Sequence, residues 1–437
     1  MSASPRVLTD WNPENRETWR PAIAWGTLAI TTYSMVMAFC VWFLVSAIAP
    51  KLNDIGFHLS KGQQYWLVAM PGLSCGLIRL VYMFLPPIVG TRRLIGYSSL
   101  LYALPMIGWF FAVQSTQTSY AVLLGLAFAC AIGGGSFSGY MPSTGYFFPR
   151  RLQGTALGIQ AGIGNLGMSI IQLVGPLLMG FGLFGMTWAA PQRQASGPIW
   201  VHNAAVFFVP WTLLAALLAF TLLKDVPVKA NVRQQLDIFS NPDTWIMTLM
   251  YVMTFGVFSG FSAQFALIIN TSYGKDSAFK GMEGLPAGAG YAFLGPLIGS
   301  LVRFAWGPLC DRFGGALWTL VSGVGMAVTL GWAALFLDPT HPDQFPVFLT
   351  AMLLMFFFTG VGNAGTFKQM PMIMPRRQAG GAIGFTAAVA SLGPFIVGVA
   401  LSSMDASLWF WLCAAYCLAC AAICWFRYAR PGAPFPG

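Results

Sequence analysis

Apolar residues dominate this 437-residue chain in long blocks separated by short polar stretches. An α-helix rises 1.5 Å per residue and needs about 20 apolar residues to cross a bilayer core. Blocks near residues 23–49, 64–89, 95–114, 119–147, 154–182, 204–223, 244–270, 286–310, 316–337, 346–371, 379–402 and 407–427 meet that length and predict twelve transmembrane helices. The polar remainder comprises an N-terminal segment at 1–22, a linker at 224–243 and a tail at 428–437, so the helices fall into two groups of six, 23–223 and 244–427. The first segment, with Pro5, Pro13 and several charges, reads as a retained lead-in rather than a cleaved signal. An all-α integral membrane protein is expected.

The positive charges orient it. Fifteen of the 23 Lys and Arg residues fall on one side: Arg6, Arg16, Arg20, Arg92, Arg93, Arg150, Arg151, Lys224, Lys229, Arg233, Arg312, Arg376, Arg377, Arg427 and Arg430. The other side holds Lys51, Lys61, Arg193, Lys275 and Lys280. The positive-inside rule then puts both termini in the cytoplasm of a cell with an inner membrane. The net charge of +10 has an ordinary source in basic loops beside a membrane surface and requires no nucleic acid. With 57% hydrophobic and 8% charged residues and a mean hydropathy of +0.67, the composition excludes a soluble chain of this size.

Two charges interrupt the blocks. Arg79 is the only charge from Tyr65 to Gly90, and Arg303 the only one from Gly284 to Cys310. A charge at bilayer depth costs about 2.5–3.5 kcal/mol on insertion scales, so it normally lines a cavity and has a partner. No Asp or Glu lies in either block. The partner expected is a bound anion.

The sequence also repeats. Gly76-Leu-Ile-Arg79 matches Ser300-Leu-Val-Arg303, and Pro149-Arg-Arg151 matches Pro375-Arg-Arg377. Ala156-Leu-Gly-Ile with Asn165-Leu-Gly167 matches Ala382-Ile-Gly-Phe with Ser391-Leu-Gly393. Parallel six-span repeats are the architecture of the major facilitator superfamily, with the substrate site between the halves near mid-membrane. The repeat makes Arg79 and Arg303 symmetry mates facing one cavity. Eight cysteines, Cys40, Cys75, Cys130, Cys310, Cys413, Cys417, Cys420 and Cys424, all lie in apolar blocks and read as buried thiols rather than a disulfide framework or a metal site. No metal or cofactor is expected.

Several segments resemble the nitrate/nitrite porter family of that superfamily. Gly162-Ile-Gly-Asn-Leu-Gly-Met-Ser-Ile-Ile-Gln172 and Gly381-Ala-Ile-Gly-Phe-Thr-Ala-Ala-Val-Ala-Ser-Leu-Gly393 are similar to its paired glycine-rich signatures. Thr9-Asp-Trp-Asn-Pro-Glu14 and Ala38-Phe-Cys-Val-Trp-Phe43 also resemble the family, and Gly307-Pro-Leu-Cys-Asp-Arg-Phe-Gly-Gly315 is similar to a loop motif of the whole superfamily. The resemblance implies nitrate and nitrite as substrates, a monomer in lipid, and substrate-binding roles for Arg79, Arg303, Tyr251, Phe255, Phe137 and Asn165. It also implies gating roles for Gly158, Gly162, Gly164, Gly167, Gly384, Ser391 and Gly393. Such glycines pack helices closely on any reading. As a smooth face they would let the halves rock.

Nitrate suits those residue types. A planar, weakly basic anion accepts hydrogen bonds in its plane, and a guanidinium offers several donors in a rigid plane. Tyr251 can donate one more, Phe255 one turn on can cover the flat face, and Phe137 can supply the opposite wall.

No Asp, Glu or His falls in the twelve blocks as drawn, so the usual carboxylate proton relay is missing. Lys368 is the one other cation within a block. Burial near two guanidinium groups would favour its neutral form, so that it takes up a proton with nitrate. The short Met374–Gly380 segment also resembles the branch of nitrate/proton symporters. Symport is therefore expected, with nitrate/nitrite exchange as the alternative and a carrier of another small anion or a passive channel further off. An enzyme is not expected, because no nucleophile–base pair or metal cluster stands out.

Overall fold

The computed structural model describes residues 6–182, 190–194, 197–228, 236–375 and 378–433. Of the basic positions above, Lys229, Arg233, Arg376 and Arg377 lie outside the described residues. Among the described residues eleven helices are long and apolar enough to cross a membrane, and a bent pair makes a twelfth. We number them in chain order as span 1 (Pro21–Ile55), span 2 (Lys61–Tyr82), span 3 (Thr91–Ala112), span 4 (Tyr120–Gly145), span 5 (Arg150–Met179) and span 6 (Asn203–Leu222). Span 7 is Pro242–Ser272, span 8 the pair Gly288–Ala305 and Gly307–Phe313, and span 9 Gly315–Ala334. Spans 10, 11 and 12 are Pro342–Ile373, Ala379–Ser403 and Ala406–Ala429. Each apolar block of the sequence falls on one of them.

The helices run past the blocks and so carry Asp54, Asp243, Asp311 and Asp343 at their ends. The apolar blocks themselves hold no acid, and the four carboxylates sit in the helix turns beyond them. Asp243, for example, is buried in the first turn of span 7, where Arg427 Nε donates to it at 2.8 Å and the Tyr428 hydroxyl at 2.6 Å. Among the described residues no acid lies in the middle of a span.

Local chemistry sets the irregularities. Span 8 bends by 46° at Trp306, because Pro308 has no N–H for the Phe304 carbonyl and its ring crowds that oxygen. Span 11 breaks between Ala390 and Gly393, and span 7 contains a π-turn at Val252–Gly256. Gly90 and Gly314 open spans 3 and 9 with φ of 85° and 87°, a conformation glycine reaches without strain. They stand 224 positions apart, the spacing of Arg79 and Arg303. The repeat is thus visible in the backbone.

Outside the spans, a short antiparallel hairpin joins Gln192–Gln194 to Gly197–Ile199. The N-terminal segment straps the ends of spans 4 and 5: Trp11 Nε1 donates to Tyr146 O at 3.2 Å and Trp19 Nε1 to Phe147 O at 3.0 Å. Glu14 accepts from Arg150 N at 2.9 Å, capping span 5.

The first six spans meet the last six mainly through spans 2 and 11 and spans 5 and 8. Polar contacts between them gather toward the end remote from the termini. Lys275 pairs with Asp54 and donates to Pro50 O at 3.0 Å, and the Tyr65 hydroxyl lies 3.2 Å from Thr271 Oγ1. Gln264 Nε2 donates to Tyr65 O at 3.3 Å, Gln172 Nε2 to Ser262 O at 2.8 Å, and Ser169 Oγ to Phe293 O at 2.9 Å. All eight cysteines are free and buried.

Candidate functional site

Arg79 and Arg303 each occupy the last turn of their helix segment, where the partial negative charge of unpaired carbonyls favours a cation. Both are buried, and among the described residues neither forms an ion pair. Arg79 Nε donates to Gly134 O at 2.9 Å, within the glycine stretch of span 4. Its Nη1 donates to Ala387 O of span 11 at 2.8 Å, so this guanidinium bridges the two halves. Arg79 Nη2 and both Nη atoms of Arg303 have no hydrogen-bond partner among the described residues. The Tyr251 hydroxyl and both amide atoms of Asn165 are likewise buried and unpaired. Buried donors normally find acceptors, so these unpaired groups make a candidate polar ligand site.

Aromatic faces surround these donors. The Arg79 guanidinium carbon lies 4.8 Å from the centre of the Phe137 ring and 5.5 Å from those of Trp42 and Phe255. Arg303 lies 5.2 Å from the Phe367 ring. Tyr251 and Phe255 stack with centroids 5.3 Å apart and planes within 9°. Phe367 closes the group, 6.3 Å from Tyr251 and 6.5 Å from Phe137. Arg79, Phe137, Phe255 and Tyr251 therefore form one contact group, and Arg303 joins it through Phe367. Asn165 is one turn along span 5 from Gly162, where an added Cβ would lie 3.1 Å from Phe304 Cβ, the neighbour of Arg303.

Trp42 and Phe367 were not among the residues singled out in the sequence. Trp42 lies in the span 1 run read only for its resemblance, and its Nε1 is held by Pro71 O at 3.1 Å. Phe367 adjoins Lys368, whose charge drew the reading instead.

Lys368 itself corrects an expectation. Its side chain is 43% exposed and pairs with Asp311 on the second limb of span 8. Asp311 lies one residue beyond the apolar block of span 8, and the bend at Trp306 precedes the limb that bears it. It is therefore neither buried nor without an acidic partner.

The gating glycines divide. Added Cβ atoms at Gly162 and Gly384 would meet Phe304 and Met83 of the opposite half, at 3.1 and 3.3 Å. Gly164 and Gly167 instead seat span 5 on span 1 of the same half, at Met35 and Val36 O, and Gly393 seats span 11 on Gly256 of span 7. A Cβ on Gly158 would touch nothing within 4 Å, and Ser391 Oγ bonds its own helix at Ala388 O, 2.7 Å away. Close packing within a half thus accounts for Gly164, Gly167 and Gly393, while Gly162 and Gly384 lie at the contact between the halves.

Residues 31–304 match the family model of the Major Facilitator Superfamily. Probable nitrate/nitrite antiporter NarK2 of Thermus thermophilus is 56% identical over 400 residues, covering 90% of this chain and 89% of its own length. Nitrate/nitrite transporter NarU of Escherichia coli (strain K12) is 31% identical over 461 residues, covering 97% and 96%. Among solved structures, a D-xylose–proton symporter superposes with a TM-score of 0.66 at 15% identity over 92% of this chain and 97% of its own. A bacterial homologue of the human lysosomal transporter Spinster gives 0.66 at 14%, covering 92% and 96%. These two share the fold. The chain belongs to the nitrate/nitrite porter family of the major facilitator superfamily, and is a multi-pass membrane transporter rather than an enzyme.

Proposed function

We propose that this transporter carries nitrate inward in exchange for nitrite by alternating access, as a monomer in the cytoplasmic membrane with both termini inside. One observation carries the reading: among the described residues two buried arginines, one from each half, have no carboxylate partner, leave three Nη atoms unpaired and lie 4.8 and 5.2 Å from the Phe137 and Phe367 rings. A flat monovalent anion matches that arrangement. Its oxygens accept in-plane bonds from the guanidinium groups and from Tyr251, while Phe137, Phe255 and Phe367 cover its faces without competing acceptors. Relatives named as nitrate/nitrite transporters supply nitrate and nitrite as the substrates.

Movement follows from the same contacts. Arg79 Nη1 is held by a carbonyl of the opposite half, so rocking of the halves breaks that bond and an anion provides the replacement acceptor. The end remote from the termini is closed by the polar contacts of Lys275, Tyr65, Gln172 and Ser169. On span 10 the Phe367 ring packs against both Arg303 and Tyr251. An anion leaves to the cytoplasm when that ring swings aside. Exchange is favoured over symport because Lys368 is exposed and paired with Asp311, and because the 56% identical relative is named an antiporter.

Proteoliposomes decide this. Vesicles loaded with nitrite are expected to take up external labelled nitrate, and vesicles without internal anion to take up little even under an imposed pH gradient. Accumulation driven by the pH gradient alone would replace exchange with proton symport.

A further inference from the structure

Tyr251 immediately precedes the π-turn of span 7 and Phe255 lies within it; in this turn Val257 N bonds Val252 O, five residues back. Such a turn adds a residue to the helix and loosens its carbonyl ladder, so it persists where neighbours hold it. Span 10 holds this one. Asn363 Nδ2 donates to Thr254 O at 3.4 Å, in the middle of the turn, and Thr254 Oγ1 lies 3.1 Å from Thr366 Oγ1. Gly362 permits the approach, since a Cβ there would lie 2.4 Å from Thr254 Cγ2. Asn363 is 1% exposed and its Oδ1 has no partner, an arrangement costly to bury unless the one bond it makes is needed. It also sits four residues before Phe367, on the same face of span 10 as the ring against Arg303.

We infer that Asn363 is a positioning residue. By tying the π-turn to span 10, it sets the Tyr251 hydroxyl and the Phe255 face for the anion and keeps both in register with Phe367. Relaxation of the turn to a regular helix would rotate one side of it by about 100° relative to the other. Phe255 would then no longer lie over Tyr251. This inference rests on the anion site proposed above.

The test is nitrate affinity, measured by calorimetry on purified protein, for Asn363→Ala in the parent chain and in a Tyr251→Phe background. The melting temperature and the Arg303→Lys variant are followed in parallel. Loss of one hydrogen bond at the positioning step is expected to weaken nitrate about tenfold in the parent. In the Tyr251→Phe background the further loss should be clearly smaller, because the hydroxyl being positioned is already gone. An equal loss in both backgrounds, or parent affinity in a well-folded Asn363→Ala protein, overturns the inference. If Arg303→Lys also retains parent affinity, the anion site itself is wrong; if only Asn363→Ala does, the site stands and the positioning role falls. Should Asn363→Ala fail to fold, Thr366→Val removes the second tie at nearly constant volume and is read in the same way.

Discussion

At Tyr251 a phenol hydroxyl is buried without a partner among the described residues, one of the costlier states a side chain can hold. Tyr251→Phe removes that cost along with a donor to the anion. It is expected to leave the melting temperature unchanged or higher while weakening nitrate about three- to tenfold, the range of one modest hydrogen bond. Thermal unfolding and calorimetry on the same preparation check both halves of the statement. Phe367→Ala should act differently, lowering selectivity against larger anions such as acetate more than it lowers nitrate affinity, as competition binding would show. Sequence alone made Arg79 and Arg303 conspicuous because a single charge in an apolar block has few structural uses. It could not single out Trp42 or Phe367 in a chain with 15% aromatic residues. Nor could it show Ala387, which acts through a backbone carbonyl that no side chain advertises.

The spans were legible as elements because bilayer thickness fixes their length, and their ends were not, because caps and terminal salt bridges extend them. Lys368 illustrates the difference. Read as a buried cation, it suggested proton uptake; the continuation of span 8 past its bend brings Asp311 to it. Exposed ion pairs contribute about 0–1 kcal/mol. Lys368→Met and Asp311→Asn are therefore each expected to shift the melting temperature little and to leave nitrite-driven nitrate uptake intact. Loss of pH-driven nitrate accumulation in Lys368→Met would restore the proton role. The π-turn of span 7 was invisible for a related reason, since its cause lies on span 10, at Asn363 and Thr366.

On the scale of the molecule, the internal repeat was readable from three matched segments, and the matched backbone at Gly90 and Gly314 repeats it. Which end is closed was not readable, because that depends on contacts between residues some 200 positions apart, such as Asp54 with Lys275 and Tyr65 with Thr271. If those contacts open in every transport cycle, fastening them should stop it. Asp54→Cys with Lys275→Cys, joined by a short thiol-reactive crosslinker with a reducible centre, is expected to abolish exchange and to regain it on reduction. The eight native cysteines are buried and should not compete. Exchange at the parent rate in fully crosslinked protein would mean that the halves do not separate there. The central claim is that one anion is shared by one arginine from each half, and calorimetric titration with nitrate tests it most directly. Lysine keeps the charge but not the planar fork. The account expects one nitrate per chain, at least about a tenfold loss in Arg79→Lys and in Arg303→Lys, and a double variant weaker than either by much less than the product of the two losses. Parent affinity in either single variant would contradict it.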